Sequence, residues 1–179
     1  MSRFDLAVVR MLHWDERLCV AMNRALRYTA VTPFFRAVSW LGNGVFWYAL
    51  ILGLLLWQGA DAVPAVLRMI LVGIACTTIY KLLKRGTLRP RPYEVVQAVA
   101  PGAAVLDSFS FPSGHTLHAV AFTLVAGMHY PVLAAPLAAF TLLTAASRVV
   151  LGLHYPSDVI AGAVIGALLA LLSFWMVAP

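Results

Sequence analysis

Charge is scarce in this chain. Only 11% of its 179 residues are Asp, Glu, Lys or Arg, whereas 62% are hydrophobic, a balance that excludes a soluble globular fold and specifies an integral membrane protein. Acid is scarcer still, with 7 Asp and Glu against 13 Lys and Arg and a net charge of +6. Cysteine is limited to Cys19 and Cys76, far apart and in apolar surroundings, which excludes both a disulfide framework and the ligand spacing of a zinc site. Arg10, Asp15, Glu16 and Arg17 interrupt every early apolar run, so no secretory signal is expected at the start. The surplus positive charge does not point to nucleic acid. Its residues sit at the ends of apolar runs and not on a soluble aromatic-rich face, which favours anionic lipid headgroups of the bilayer or a phosphorylated substrate as partners.

What is present is a series of apolar spans punctuated by proline and glycine. Residues 1–179 read as one all-α domain, a polytopic membrane helical bundle of about five to six transmembrane helices. Arg3, Arg10, Arg17 and Arg24 recur every seven residues, so on a helix they drift only about 20° per repeat and form one basic stripe, which Arg27 extends. Phe4, Val8, Leu12 and Val20 can occupy much of the opposite side. Residues 1–32 therefore read as an amphipathic helix lying in the membrane interface, or equally as a helix folded against the bundle with snorkelling arginines. Spans are expected from near Gly44 (or from Pro33) to Trp57, from Pro64 to Leu83, from Ser113 to Met128, from Pro131 to Leu151, and from Pro156 to Val177.

Between the second and third spans lies the one long polar stretch, residues 84–112, and a loop of that length is functional. Short connections make successive helices antiparallel, so this loop and the corner at residues 152–156 should meet on one side of the membrane. Three polar segments converge there. The first is Lys84-Arg85-Gly86-Thr87-Leu88-Arg89-Pro90-Arg91-Pro92, with Lys84 and Arg91 seven apart. The second is Pro112-Ser113-Gly114-His115, where Ser113 is a natural N-cap and the free backbone N–H groups of the new helix make an anion site beside His115. The third holds Ser147, Arg148, His154 and Asp158. Pro156 suits the first helical turn, which puts His154 just outside the helix, at an exposed corner, with Asp158 one turn inside, placed to hold one imidazole nitrogen. Two histidines, one carboxylate, several cations and a helix N-terminus specify phosphoryl transfer. Glu94, Asp107 and Asp158 are too few acidic ligands for a two-metal site, so neither metal nor cofactor is expected.

These segments resemble the three motifs of the type 2 phosphatidic acid phosphatase (PAP2) superfamily, shared with vanadium haloperoxidases. The pattern is lysine, six residues, Arg-Pro; then Pro-Ser-Gly-His; then Ser-Arg, five residues, His, three residues, Asp. Every position is filled here, across residues 84–158. The resemblance implies a metal-independent phosphatase of the bacterial inner membrane that works through a phosphohistidine. His154 is its nucleophile, Asp158 the orienting partner, and His115 the acid and then the base. Lys84, Arg91, Ser113, Gly114 and Arg148 bind phosphate, and the substrate is a lipid such as undecaprenyl diphosphate, phosphatidate, diacylglycerol pyrophosphate or phosphatidylglycerophosphate. A non-catalytic lipid-phosphate binding or transport protein on the same fold is the alternative, and the intact histidines argue against it. Outside the motif positions, Lys81, Arg85 and Arg89 read as interfacial anchors, with Arg85 or Arg89 also within reach of a second phosphate. His13, His118 and His129 read as packing or interfacial residues, and Ser147 as either a phosphate ligand or a support of the turn.

Overall fold

The computed structural model describes residues 3–105 and 107–176, with the side chains of Arg3, Phe4 and Ala7 left aside. Leu106 of the expected loop, and Val177 at the expected end of the last span, lie outside the described residues. Eight α-helices follow in order among those described: α1 Arg3–Asn23, α2 Val31–Trp40, α3 Phe46–Gln58, α4 Val63–Thr87, α5 Pro92–Val95, α6 Gly114–His129, α7 Pro131–Val150 and α8 Pro156–Met176. None of the described residues forms a strand.

Each expected span is a helix, and two are longer than the apolar pattern suggests. Helix α2 runs into α3 through a wide turn at Leu41–Val45, where Gly44 takes a φ of +121° that only glycine adopts freely, so the first rod is bent and begins at Val31. A turn at Gly59–Ala62 reverses the chain into α4. The stretch Val31–Val95 contains a helical segment long and apolar enough to cross a membrane, and α7 and α8 are each long and apolar enough as well. Helix α4 extends to Thr87, so Lys84 belongs to its last turn. Leu56, Leu71, Leu142, Leu168 and Leu172 are exposed on the outer faces, the arrangement expected of a bundle solvated by lipid.

Helix α6 stands at the centre, packed on α4, α7 and α8. At 16 residues it spans only about 24 Å, less than the hydrocarbon core, and its neighbours surround it. Its closest neighbour is α8, whose buried positions Asp158, Gly162, Gly166 and Ala170 recur every four residues along one face. A Cβ on Gly162 would stand 2.6 Å from the Ser113 carbonyl oxygen, and one on Gly166 would stand 2.3 Å from that of Leu117. The two backbones therefore touch, the small-residue packing that membrane helices use where lipid supplies no hydrophobic drive between them. Helix α1 buries Asp15, Cys19 and Asn23 along one side and leaves Arg10 and Arg17 exposed on the other, with Arg24 exposed just beyond its end. Asn23 fixes its end by donating to the carbonyls of Ala100 and Val150 and accepting from the Ala100 N–H, each at 2.9 Å.

Gly166→Ala should lower the thermal midpoint in detergent, by overpacking worth about 1–3 kcal/mol. Gly53→Ala, where a Cβ meets nothing within 4 Å, should cause no loss. Equal midpoints for wild type and Gly166→Ala would mean that the close approach is not required.

Candidate active site

The site is assembled from chain ends at one end of the bundle. After Lys84, α4 stops at Leu88, whose left-handed φ of 48° turns the chain into Arg89-Pro90-Arg91-Pro92. Arg91 caps the short helix α5, its N–H donating to Glu94 Oε2 at 2.8 Å. The loop returns antiparallel to itself, with the Ser110 N–H donating to the Arg89 carbonyl at 2.9 Å. A cis Phe111–Pro112 bond then leads into Ser113. The Ser113 N–H donates to the Asp158 carbonyl at 3.0 Å, which joins the second motif to the third. At the end of α7 the Arg148 carbonyl accepts from both Leu153 N–H (3.0 Å) and His154 N–H (3.1 Å), and Gly152 makes the turn possible with a φ of +70°.

These constraints bring the motif residues together. His154 is 2% exposed, so the exposed corner expected from the sequence is covered, because the returning loop folds over it. Its Nε2 lies 3.5 Å from Arg91 Nη1, a guanidinium nitrogen that also donates to the Leu153 carbonyl at 2.6 Å. Its Nδ1 faces Asp158 Oδ2 at 3.7 Å and makes no hydrogen bond. The carboxylate is thus on the correct side of the ring but beyond hydrogen-bond length. Asp158 Oδ2 accepts instead from the Tyr155 N–H at 2.8 Å, and Oδ1 from Arg89 at 2.6 Å. Burial, then the charges of Arg148 and Arg91, hold the His154 imidazole well below its ordinary pKa, so it is neutral at pH 7.

Lys84, Arg91 and Arg148 are all buried, and His115, on the first turn of α6, lies within electrostatic reach of Arg148, His154 and Lys84. Arg148 donates to the Ser39 hydroxyl of α2, and its Nε has no partner. One carboxylate answers this positive cluster. Asp107 Oδ1 accepts from Lys84 Nζ at 2.6 Å and from Arg91 Nη2 at 2.7 Å, as an oxygen of a bound phosphate would. Burial opposes the charge on Asp107, but Lys84 and Arg91 outweigh it and hold its pKa below the usual carboxylate value.

Ser113 occupies the N-cap position, but its hydroxyl pairs with Thr116 Oγ1 at 3.0 Å and makes no cap to the backbone. Gly114 opens α6 with Tyr80 alongside. The Ser147 hydroxyl donates to the Thr144 carbonyl at 2.6 Å, so it supports the helix end. His118 is held by the Gly114 carbonyl at 2.9 Å and Thr77 at 3.1 Å, a packing role. Arg89 departs from its reading as an interfacial anchor. Its guanidinium bridges Asp158 and Asp15, because the Pro90 and Pro92 corners turn it inward. Asp15, which in the sequence only interrupts an apolar run, was not legible as part of this region.

The sequence profile of the PAP2 superfamily matches residues 61–179, more than half of the chain, and the chain belongs to that superfamily. It is a multi-pass membrane protein with bacterial relatives. It is 35% identical over 130 residues to the undecaprenyl-diphosphatase BcrC of Bacillus subtilis, covering 71% of this chain and 66% of that one. It is 36% identical over 96 residues to a lipid A 1-phosphatase of Rhizobium johnstonii, covering 51% of this chain and 39% of the relative. The chain therefore spans just under two thirds of the first relative's length and well under half of the second's. The crystal structure of a transmembrane PAP2 type phosphatidylglycerolphosphate phosphatase from Bacillus subtilis superposes with a TM-score of 0.74 at 27% identity, over 92% of this chain and 85% of that one. That of Aquifex aeolicus LpxE gives 0.72 at 26% identity, over 89% and 93%.

Asp107→Asn removes the charge that competes for Lys84 and Arg91, so inorganic phosphate should bind several-fold tighter, an effect of about 1 kcal/mol for a half-exposed ion pair. Calorimetric titration of the purified protein reads it directly. Unchanged or weaker binding would show that the carboxylate does not compete with an anion.

Proposed function

We propose that this chain hydrolyses the terminal phosphate of a membrane lipid phosphate or diphosphate through a phosphohistidine on His154. The observation that carries the reading is the neutral, buried imidazole with Nε2 turned toward the Arg91 guanidinium and Nδ1 toward Asp158. A proton on Nδ1, facing the carboxylate, leaves the Nε2 lone pair free for phosphorus.

In the first step the N–P bond forms at His154 Nε2 while the bond from phosphorus to the lipid oxygen breaks, and His115 gives its proton to the leaving oxygen. In the second, His115 takes a proton from water, the water oxygen attacks phosphorus, and the N–P bond breaks to release inorganic phosphate. Lys84, Arg91 and Arg148, with the Gly114 N–H that opens α6, hold the equatorial oxygens in both steps, while the Ser113 N–H stays on the Asp158 carbonyl. Substrate phosphate takes Lys84 and Arg91 over from Asp107. Asp158 stabilises the imidazolium character that develops at His154, and closing the 3.7 Å gap to a hydrogen bond accompanies that change. The relatives support lipid phosphate as the substrate class, since those named above are phosphatases of an undecaprenyl diphosphate, lipid A and phosphatidylglycerolphosphate.

The test is phosphate release by purified protein in detergent with chelator, using undecaprenyl diphosphate, phosphatidate, phosphatidylglycerophosphate and diacylglycerol pyrophosphate. The wild type should release phosphate from at least one of them. His154→Ala should lose at least about 1,000-fold at an unchanged thermal midpoint, since the displacement has no substitute nucleophile. A folded His154→Ala protein with wild-type turnover would remove the assignment.

A further inference from the structure

Asp15 lies on α1, outside all three motifs, yet it is fully buried and hydrogen-bonded to Arg89 and Ser157 beside the site. Oδ2 accepts from Arg89 Nη2 at 2.8 Å, Oδ1 accepts from the Ser157 N–H at 2.8 Å, and the Ser157 hydroxyl donates to Oδ2. The other guanidinium nitrogen of Arg89 donates to Asp158 Oδ1 at 2.6 Å and to Ser157 Oγ at 2.8 Å. One planar guanidinium thus bridges two buried carboxylates, with the first turn of α8 between them. A buried carboxylate is costly unless fully paired, and this one is paired with Arg89 and Ser157, the groups next to the carboxylate that faces His154.

We propose that Asp15 is a positioning residue for the Asp158–His154 pair, acting through Arg89 and Ser157, an inference that rests on the proposed phosphohistidine reading. Two effects follow from the geometry. Arg89, shared by two carboxylates, leaves one net negative charge over the trio. With Asp15 neutral, Arg89 and Asp158 would cancel, and less charge would remain to stabilise a developing imidazolium at His154. The fork also sets direction: Arg89 pulls Oδ1 of Asp158 away from the histidine, which leaves Oδ2 facing Nδ1. A lysine at position 89 would keep the charge but could not bridge both carboxylates in this planar geometry. Docking of α1 does not depend on Asp15 alone, because Cys19 and Asn23 are buried on the same side and Asn23 makes three hydrogen bonds of its own.

The experiment compares wild type, Asp15→Asn, Arg89→Lys and the double variant as full chains in detergent, on whichever panel lipid the wild type turns over fastest. Asp15→Asn should lower kcat about 10- to 100-fold, the range usual for outer partners of an oriented histidine, with KM within about twofold and the thermal midpoint unchanged. Arg89→Lys should lose comparably, and the double variant should be no slower than Arg89→Lys alone, because both changes break one connection. Wild-type kcat in Asp15→Asn would overturn the proposal. So would losses that multiply in the double variant, or a loss that comes with a lowered midpoint or a parallel rise in KM. A wild type without turnover, or a fully active His154→Ala, would instead remove the underlying reading and the proposal with it.

Discussion

Three cations, Lys84, Arg91 and Arg148, are buried around one imidazole at the end of a membrane bundle, and the rest of the structure follows from the need to keep them there. Taken from water without partners, each would cost several kcal/mol, so the loop from residue 84 to 112 supplies acceptors. The Asp107 carboxylate and the Phe109 carbonyl meet Lys84, the Leu153 carbonyl and Asp107 meet Arg91, and Ser39 meets Arg148. A phosphate carries the charge that this cluster needs, together with enough oxygens to satisfy several donors at once. Burial first, and then the same field, keeps His154 neutral, the state that the proposed attack on phosphorus requires.

Holding such a cluster requires a rigid frame, and the frame is backbone contact between α6 and α8. Gly162 and Gly166 let the two helices touch, and the bond from Ser113 N–H to the Asp158 carbonyl closes the top of that contact. The N-terminal turns that carry His115 and Asp158 are thereby fixed against each other. Helix α1 completes the frame from outside, with its exposed arginines on one side and Asp15, Cys19 and Asn23 inserted on the other.

The helices were legible because their signals are local: proline at helix starts, glycine at turns and apolar runs of membrane length. The three motif segments were legible for the same reason, since their spacing sits in the chain and short connections put their ends on one side. Long-range pairings were not. Asp15 meets Ser157 across 142 positions, and in sequence it is only a charge interrupting an apolar run. Arg89 sits two residues from Arg91 in a basic run, and only the proline-bounded turn decides which of the two faces Asp158 and which faces His154. The burial of His154 was hidden as well, because the loop that covers it has little periodicity. The G-x-x-x-G spacing at Gly162 and Gly166 was there to be read, but in an apolar helix it does not name the partner it packs on.

The central claim is a covalent phosphate on His154, and the most direct measurement is to trap it. Wild-type protein mixed with a lipid phosphate carrying radiolabelled terminal phosphate would be quenched in alkali before one turnover is complete, then digested and mapped by mass spectrometry. The account predicts label that is stable to alkali, labile to acid, and bound to Nε2 of His154. Turnover without protein-bound label, or label on another residue, would contradict it.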